Sequence, residues 1–234
     1  MAVASNITQH LHYVNAKRDL AEKMGVMPSI HALQHWQCQR LLATHDDLAQ
    51  QARYREAMGF FVEELYGPKD FSQRDADMIR VIPKLARVLP TKAMRALDDA
   101  LALNALSFEL DMAMVQSLGD NPLDRDSYAI AYRHVGRQND RARQIEIIDD
   151  LGHQLADVVK IRGIGMMISL ARRPAKLAGL LSLHEFLERG YQAFKALGDV
   201  KSFIDPVVAR ERSLMLQLFD NNNVLPEDNP LPHV

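Results

Sequence analysis

The sequence predicts an all-α fold, a bundle of about ten helices with no sheet. Three observations carry that expectation. Apolar residues recur at helical spacing in one segment after another. Glycines and prolines mark most of the boundaries between those segments. Strand signals are missing: the chain has no Asn-Gly or Asp-Gly hairpin turn and no sustained period-two alternation.

The first helix is expected over residues 6–24, where Ile7, Leu11, Val14, Leu20 and Met24 form a stripe and Gly25 can stop it. Pro28 and Ser29 open the second, which carries Ile30, Leu33, Trp36, Cys38 and the pair Leu41–Leu42. A third runs from Arg53 to Tyr66 and buries Ala57, Phe60, Phe61 and Leu65. Gly67 offers a left-handed stop, and Pro68 forbids continuation. Ser72 followed by Asp75 is a capping-box-like start for the fourth, although the acid is shorter than the usual Glu. That helix is expected to be interrupted near Pro83 and to close before Pro90. Thr91 then caps the longest helix, 92–118, which Gly119 ends.

Asp124 or Asp126 starts a short helix through Tyr128–Val135, ended by Gly136. Residues 140–159 form an amphipathic helix through Ile145, Ile148, Leu151, Leu155 and Val158–Val159. The stretch after it is less regular, broken by Gly163, Gly165 and Pro174. Ser182 caps a helix to Leu197 with Gly198 as its stop, and the last helix covers 200–219, bent or delayed at Pro206. Residues 1–219 therefore read as one helical domain, with 119–126 as the place where it would divide. The tail 220–234, rich in Asn and Pro, is expected to be unordered or loosely draped.

Composition narrows the function classes. With 234 residues, 47% apolar, the chain can bury a substantial core. A formal net charge of −2 gives no global field favouring nucleic acid, and no nucleic acid is expected as a partner. The single cysteine, Cys38, excludes a disulfide within the chain and fits a reducing, cytoplasmic setting. The N-terminus lacks an unbroken apolar signal core, and no stretch approaches the roughly 20 apolar residues of a membrane span. Nucleotide-binding glycine loops, a Gly-x-Ser-x-Gly elbow and His-Glu-x-x-His are all absent.

Several ordered motifs are shared with a known family. Trp36-Gln37, RLLATHDDL at 40–48, FFVEELYGPKDFSQRD at 60–75, Tyr132-Arg133, Arg143-Gln144, RRPAKLAGL at 172–180 and FLERGYQAF at 186–194 resemble the bacterial family named for its FFLEELY motif. Val62 stands where that motif has Leu. The resemblance implies an all-helical bacterial protein and supplies no catalytic residue.

The strongest binding candidate is a basic cluster at a helix junction: Arg133, His134, Arg137, Arg141 and Arg143, with Asp140 the one acid among them. The start of a helix there adds free amides and its positive dipole end, so a phosphate or carboxylate could lodge at the junction. Alternatively these arginines pair with acids such as Asp75, Asp77 or Glu146 and fix the junction. Residues 160–181 carry five basic residues and no acid, with Ile164, Met166, Met167, Ile168 and Leu170 between them. Such a stretch suits an anionic membrane surface or a partner, or else a core segment whose arginines reach outward.

Metal and haem chemistry form the alternative. Asp150-x-x-His153 has the carboxylate–imidazole spacing of di-iron bundles, and Glu63 or its neighbour Glu64 could add a carboxylate. No second Asp/Glu-x-x-His occurs, so half of such a set is missing. His45 on an early helix loosely resembles the haem-oxygenase arrangement, with only Gly163 and Gly165 to stand for its glycine-rich distal helix. His31 and His35 share a helix face without a third ligand. The leading expectation is a non-enzymatic cytoplasmic binding or accessory protein that recognises a protein partner or small anion through the basic junction. A helical metallo- or haem enzyme is the alternative.

Overall fold

A computed structural model describes residues 2–66 and 72–234. Among the described residues lie eleven α-helices, one π-helical turn and no strand. The helices are α1 (Ala2–Lys23), α2 (Met27–Thr44), α3 (Asp46–Ala49), α4 (Ala52–Phe60), α5 (Ser72–Val88), α6 (Thr91–Leu118), α7 (Arg125–Val135), α8 (Gln138–Val158), α9 (Ile164–Leu177), α10 (Leu181–Leu197) and α11 (Lys201–Phe219). The π-helical turn covers Phe61–Tyr66, directly after α4. No described helix is long and apolar enough to cross a membrane.

α6 is the axis of the bundle, buried on most of its length and packed by α1, α2, α7 and α8. Its first half, with Met94, Leu97 and Leu101, closes a smaller core against Ile7 and Leu11 of α1 and Met78 and Ile82 of α5. Its second half joins the larger core, where Tyr54, Phe194, Phe203 and Met114 are almost wholly inaccessible. Burying each of these side chains contributes about 1.5–3 kcal/mol before entropy is counted.

Several boundaries differ from expectation for physical reasons. The segment 53–66 is α4 followed by the π turn, in which the Phe61 amide is shared between the carbonyls of Ala57 and Met58. Phe60 and Phe61 both lie buried, at 5% and 6% exposure. The prolines at 83, 174 and 206 break no helix. None of the three is buried, so water can serve the carbonyls that lose a partner. Thr91 and Ser182 fall inside helices whose N-caps, Pro90 and Leu180, make no side-chain cap. By contrast Asp124 caps α7 as expected, accepting from the Asp126 and Ser127 amides in a full capping box. The turn expected at Gly67–Pro68 lies outside the described residues, as does the Ser72 side chain expected to cap α5.

The tail runs back over α7. Arg125 donates from Nε to the Leu231 carbonyl at 2.9 Å and from Nη2 to that of Asn229, and Leu231 is 5% exposed. Arg133 donates to three carbonyls at the end of α11 and beyond it, those of Leu218, Asp220 and Asn223 at 2.8, 3.0 and 2.8 Å. These bonds satisfy groups that a helix C-terminus leaves open.

Candidate functional site

The basic junction does not form one patch. Gly136 and Arg137 both take positive φ, 65° and 56°, and this reversal swings α8 back against α6 and α11. For Arg137 the left-handed region is strained, and its ion pairs with Asp140 at 2.6 Å and Glu109 at 2.9 Å help to hold it there. Arg133 is committed to the tail. His134 pairs with Ser117 at the surface, and Arg143 pairs with Glu146, both partners half exposed. Asp75 and Asp77, the other acids expected to hold the junction, instead accept from Arg18, Arg74 and Arg80.

Arg141 alone turns inward, at 6% exposure. Its position explains why: it lies four and seven residues before Ile145 and Ile148, on the stripe that α8 buries. There it lines a cavity of about 110 Å³ between α2, α6, α7, α8 and α11. His45, at the junction of α2 and α3, lines the same cavity and is wholly buried.

Two charged clusters line this space. In the first, Arg40 donates from Nη1 to both carboxylate oxygens of Glu211, at 2.6 and 2.8 Å. His45 adds a bond from Nε2 to Glu211 Oε1 at 3.0 Å. A carboxylate accepts only, so Nε2 carries the proton, and the buried Nδ1 has no protein partner. Burial by itself would raise the Glu211 pKa. The Arg40 charge and the two neighbours' hydrogen bonds outweigh it and hold the carboxyl down at about 2.

The second cluster is different. Arg141 donates from Nη1 to Gln144 Oε1 at 3.3 Å and lies 4.5 Å over the Tyr132 ring. Gln144 in turn donates to Ser107 Oγ at 2.8 Å. Nε and Nη2 of Arg141 are buried without a protein partner, and among the described residues no carboxylate lies within ion-pair reach. Asp111 lines the cavity too, but Gln34 and Gln37 hold its two oxygens at 3.0 and 3.1 Å. Burial raises its pKa, and the two glutamines with the Arg141 charge oppose that only in part. Nε and Nη2 form one side of a guanidinium, with parallel N–H bonds spaced for the two oxygens of a carboxylate or phosphate. Tyr128 and Tyr132 supply flat walls, with Tyr128 stacked 4.4 Å from Trp36.

Arg40, Glu211, Tyr128 and Gln144 were not among the expected site residues. A signal existed: Arg40 follows Leu33 and Trp36 by seven and four residues, and Glu211 precedes Met215 by four, so both charges interrupt apolar stripes.

The expected metal ligands are spread out. Glu63 pairs with Arg189 at 2.6 Å, the Glu64 side chain lies outside the described residues, and Asp150 is solvent-exposed. The acids that do reach His153 are Asp149 at 3.2 Å and Asp205 at 4.0 Å. One ligand atom from each of these three residues could share a cation at the surface, all lying within 4.8 Å of one another. Haem does not fit at His45: Nε2 is taken by Glu211, and the cavity is far smaller than a porphyrin. His31 and His35 stay on the outer side of α2.

A second cavity of about 110 Å³ has almost purely apolar walls. Adjacent residues divide the two spaces: Phe61 lines the polar one and Phe60 the apolar one.

Residues 16–224 match the family model described as "Domain of unknown function (DUF8198)". No curated protein and no solved structure matches the chain.

Proposed function

Because the chain belongs to this family of domains of unknown function, DUF8198, we propose its role from the polar cavity itself: it is a binding protein for a small organic acid. The acid group sits on the Nε/Nη2 side of Arg141, and the remainder lies between Tyr128, Tyr132 and the aliphatic residues Ile145 and Ile148. One observation carries this reading. Arg141 is a buried cation whose two parallel donors meet no protein acceptor, an arrangement that a carboxylate or phosphate would complete. The Arg40–Glu211–His45 group, already neutralised and hydrogen-bonded, lines the same cavity and favours a ligand with a second polar group. The ordered motifs from Trp36 to Phe194 support placing the chain beside the bacterial FFLEELY-motif proteins, working in the cytoplasm.

The experiment is a thermal-shift screen of small mono- and dicarboxylic acids and phosphate esters, followed by calorimetry on the hits. At least one acid stabilises the parent protein, and Arg141→Met removes that shift while leaving the fold intact. Stabilisation by the same acid in Arg141→Met, or no response across the whole panel, overturns the reading.

A further inference from the structure

The most exposed large apolar residues described are Leu177, Leu170 and Met166, at 90%, 71% and 70%, and all three belong to α9. At 100° per residue they fall within about 40° of one another around the helix, so they form one line along its outer side. Arg173 stands on the same line, and Lys176 flanks it. The opposite side of α9 is apolar as well. Ile164 and Ile168 roof the apolar cavity, and the helix packs chiefly on α10.

A helix that is apolar on two opposite sides is ordinarily covered on both. Here one side is in water. The charges indicate what covers it. Between Val158 and His184 the chain has no acid, and Arg162, Arg173 and Lys176 make no ion pair among the described residues. Arg172 alone is paired, with Glu188 at 2.7 Å. A second copy of the same helix would bring these cations face to face with no acid to receive them. An anionic lipid surface accepts both features, with leucine and methionine side chains entering the acyl boundary and cations at headgroup level.

We infer that α9 docks this protein on anionic bilayers. The membrane is touched by Met166, Leu170 and Leu177, and Arg173 and Lys176 select its charge. Binding is peripheral and weakens with salt, since the charges act across water.

The test is vesicle co-sedimentation with the full chain. The parent protein should pellet with phosphatidylcholine–phosphatidylglycerol vesicles, and little of it with pure phosphatidylcholine. Arg173→Glu with Lys176→Glu should lower the partition coefficient about tenfold or more. Leu170→Ser with Leu177→Ser should lower it comparably, and these positions are too exposed for either pair to unfold the helix. Circular dichroism checks that point. Failure of the parent protein to pellet with the anionic vesicles overturns the inference, as does undiminished binding by the charge-reversed variant. A parent dimer in sedimentation velocity that the serine pair converts to monomer would assign the face to a second copy instead.

Discussion

Arg141 lies 4.5 Å over the ring of Tyr132. That contact holds a buried cation in place without neutralising it, which separates two quantities that usually move together. Replacing Arg141 by Met removes a buried charge that no carboxylate pairs with directly and fills its volume with apolar atoms. The variant should gain about 1 kcal/mol or more in stability without ligand. It should also lose all response to small acids. Chemical denaturation read beside the ligand screen tests both halves, and a clear loss of stability in Arg141→Met would show that the cation is structural.

Glu211 and Asp111 line the same cavity, yet their carboxyl groups move in opposite directions. The Glu211 pKa falls from 4.5 to about 2, so its contribution is fully present above pH 4.5 and is lost as pH falls through about 2. The size is about 3 kcal/mol. Glu211→Gln leaves Arg40 unpaired and should cost about 3–5 kcal/mol at neutral pH. The parent's stability advantage over this variant should shrink as pH is lowered through that window. A pH series of denaturation midpoints measures it.

For Asp111 the sign reverses. Burial raises the folded-state value above 3.8, so the ionised carboxyl weakens the fold at neutral pH, and protonation relieves it as pH falls. Asp111→Asn keeps a partner for each glutamine if one amide flips, since Gln34 and Gln37 can present either end. The variant should be at least as stable as the parent at pH 7, with the difference closing in mild acid. A loss of stability that is larger at pH 7 than in mild acid would mean that the carboxylate's hydrogen bonds outweigh its burial.

Much of this fold is legible in the sequence because helical spacing is a local property. The stripes of α1, α2 and α8 can be read from Ile7, Leu33 and Ile145 without knowing what they touch. The cavity is not legible in the same way. Arg141 and Glu211 are set together by the packing of α8 on α11, and that packing is decided by shape complementarity between residues far apart in the chain. A charge inside an apolar stripe was the visible trace of it. The sequence grouped Arg141 with Arg133, Arg137 and Arg143 because they are neighbours in the chain, although a helix sends consecutive side chains about 100° apart. The prolines misled for a related reason: whether position 83 or 174 breaks a helix depends on which side faces water.

Arg133 gives a prediction about the tail. Its three donated bonds go to carbonyls at 218, 220 and 223, beyond the reach of ordinary helix pairing. Arg133→Ala should cost about 2–3 kcal/mol where those bonds break. The loss should be local, seen as faster proteolytic nicking after α11 with most of the helical circular dichroism retained. Unchanged nicking would mean that Arg125 and Leu231 suffice to hold the tail.

Gly152 tests how the cavity wall is built. α8 and α11 meet there so closely that a Cβ on residue 152 would stand 2.6 Å from Cγ1 and 2.7 Å from Cδ1 of Ile204. Ile204 is wholly buried and lines the polar cavity, so it cannot swing into solvent. Gly152→Ala must push α11 outward or force Ile204 off its rotamer, and it should cost about 1–3 kcal/mol despite the better helix propensity of alanine. Ile204→Ala is itself destabilising, because it leaves a void. Combined, the two changes relieve each other, and the double variant should be more stable than the sum of the single losses predicts. Displacing α11 also moves Glu211 relative to Arg40, so Gly152→Ala should weaken acid binding and Ile204→Ala should restore part of it. Strict additivity in the cycle would show that the two helices are not in the contact on which the cavity depends.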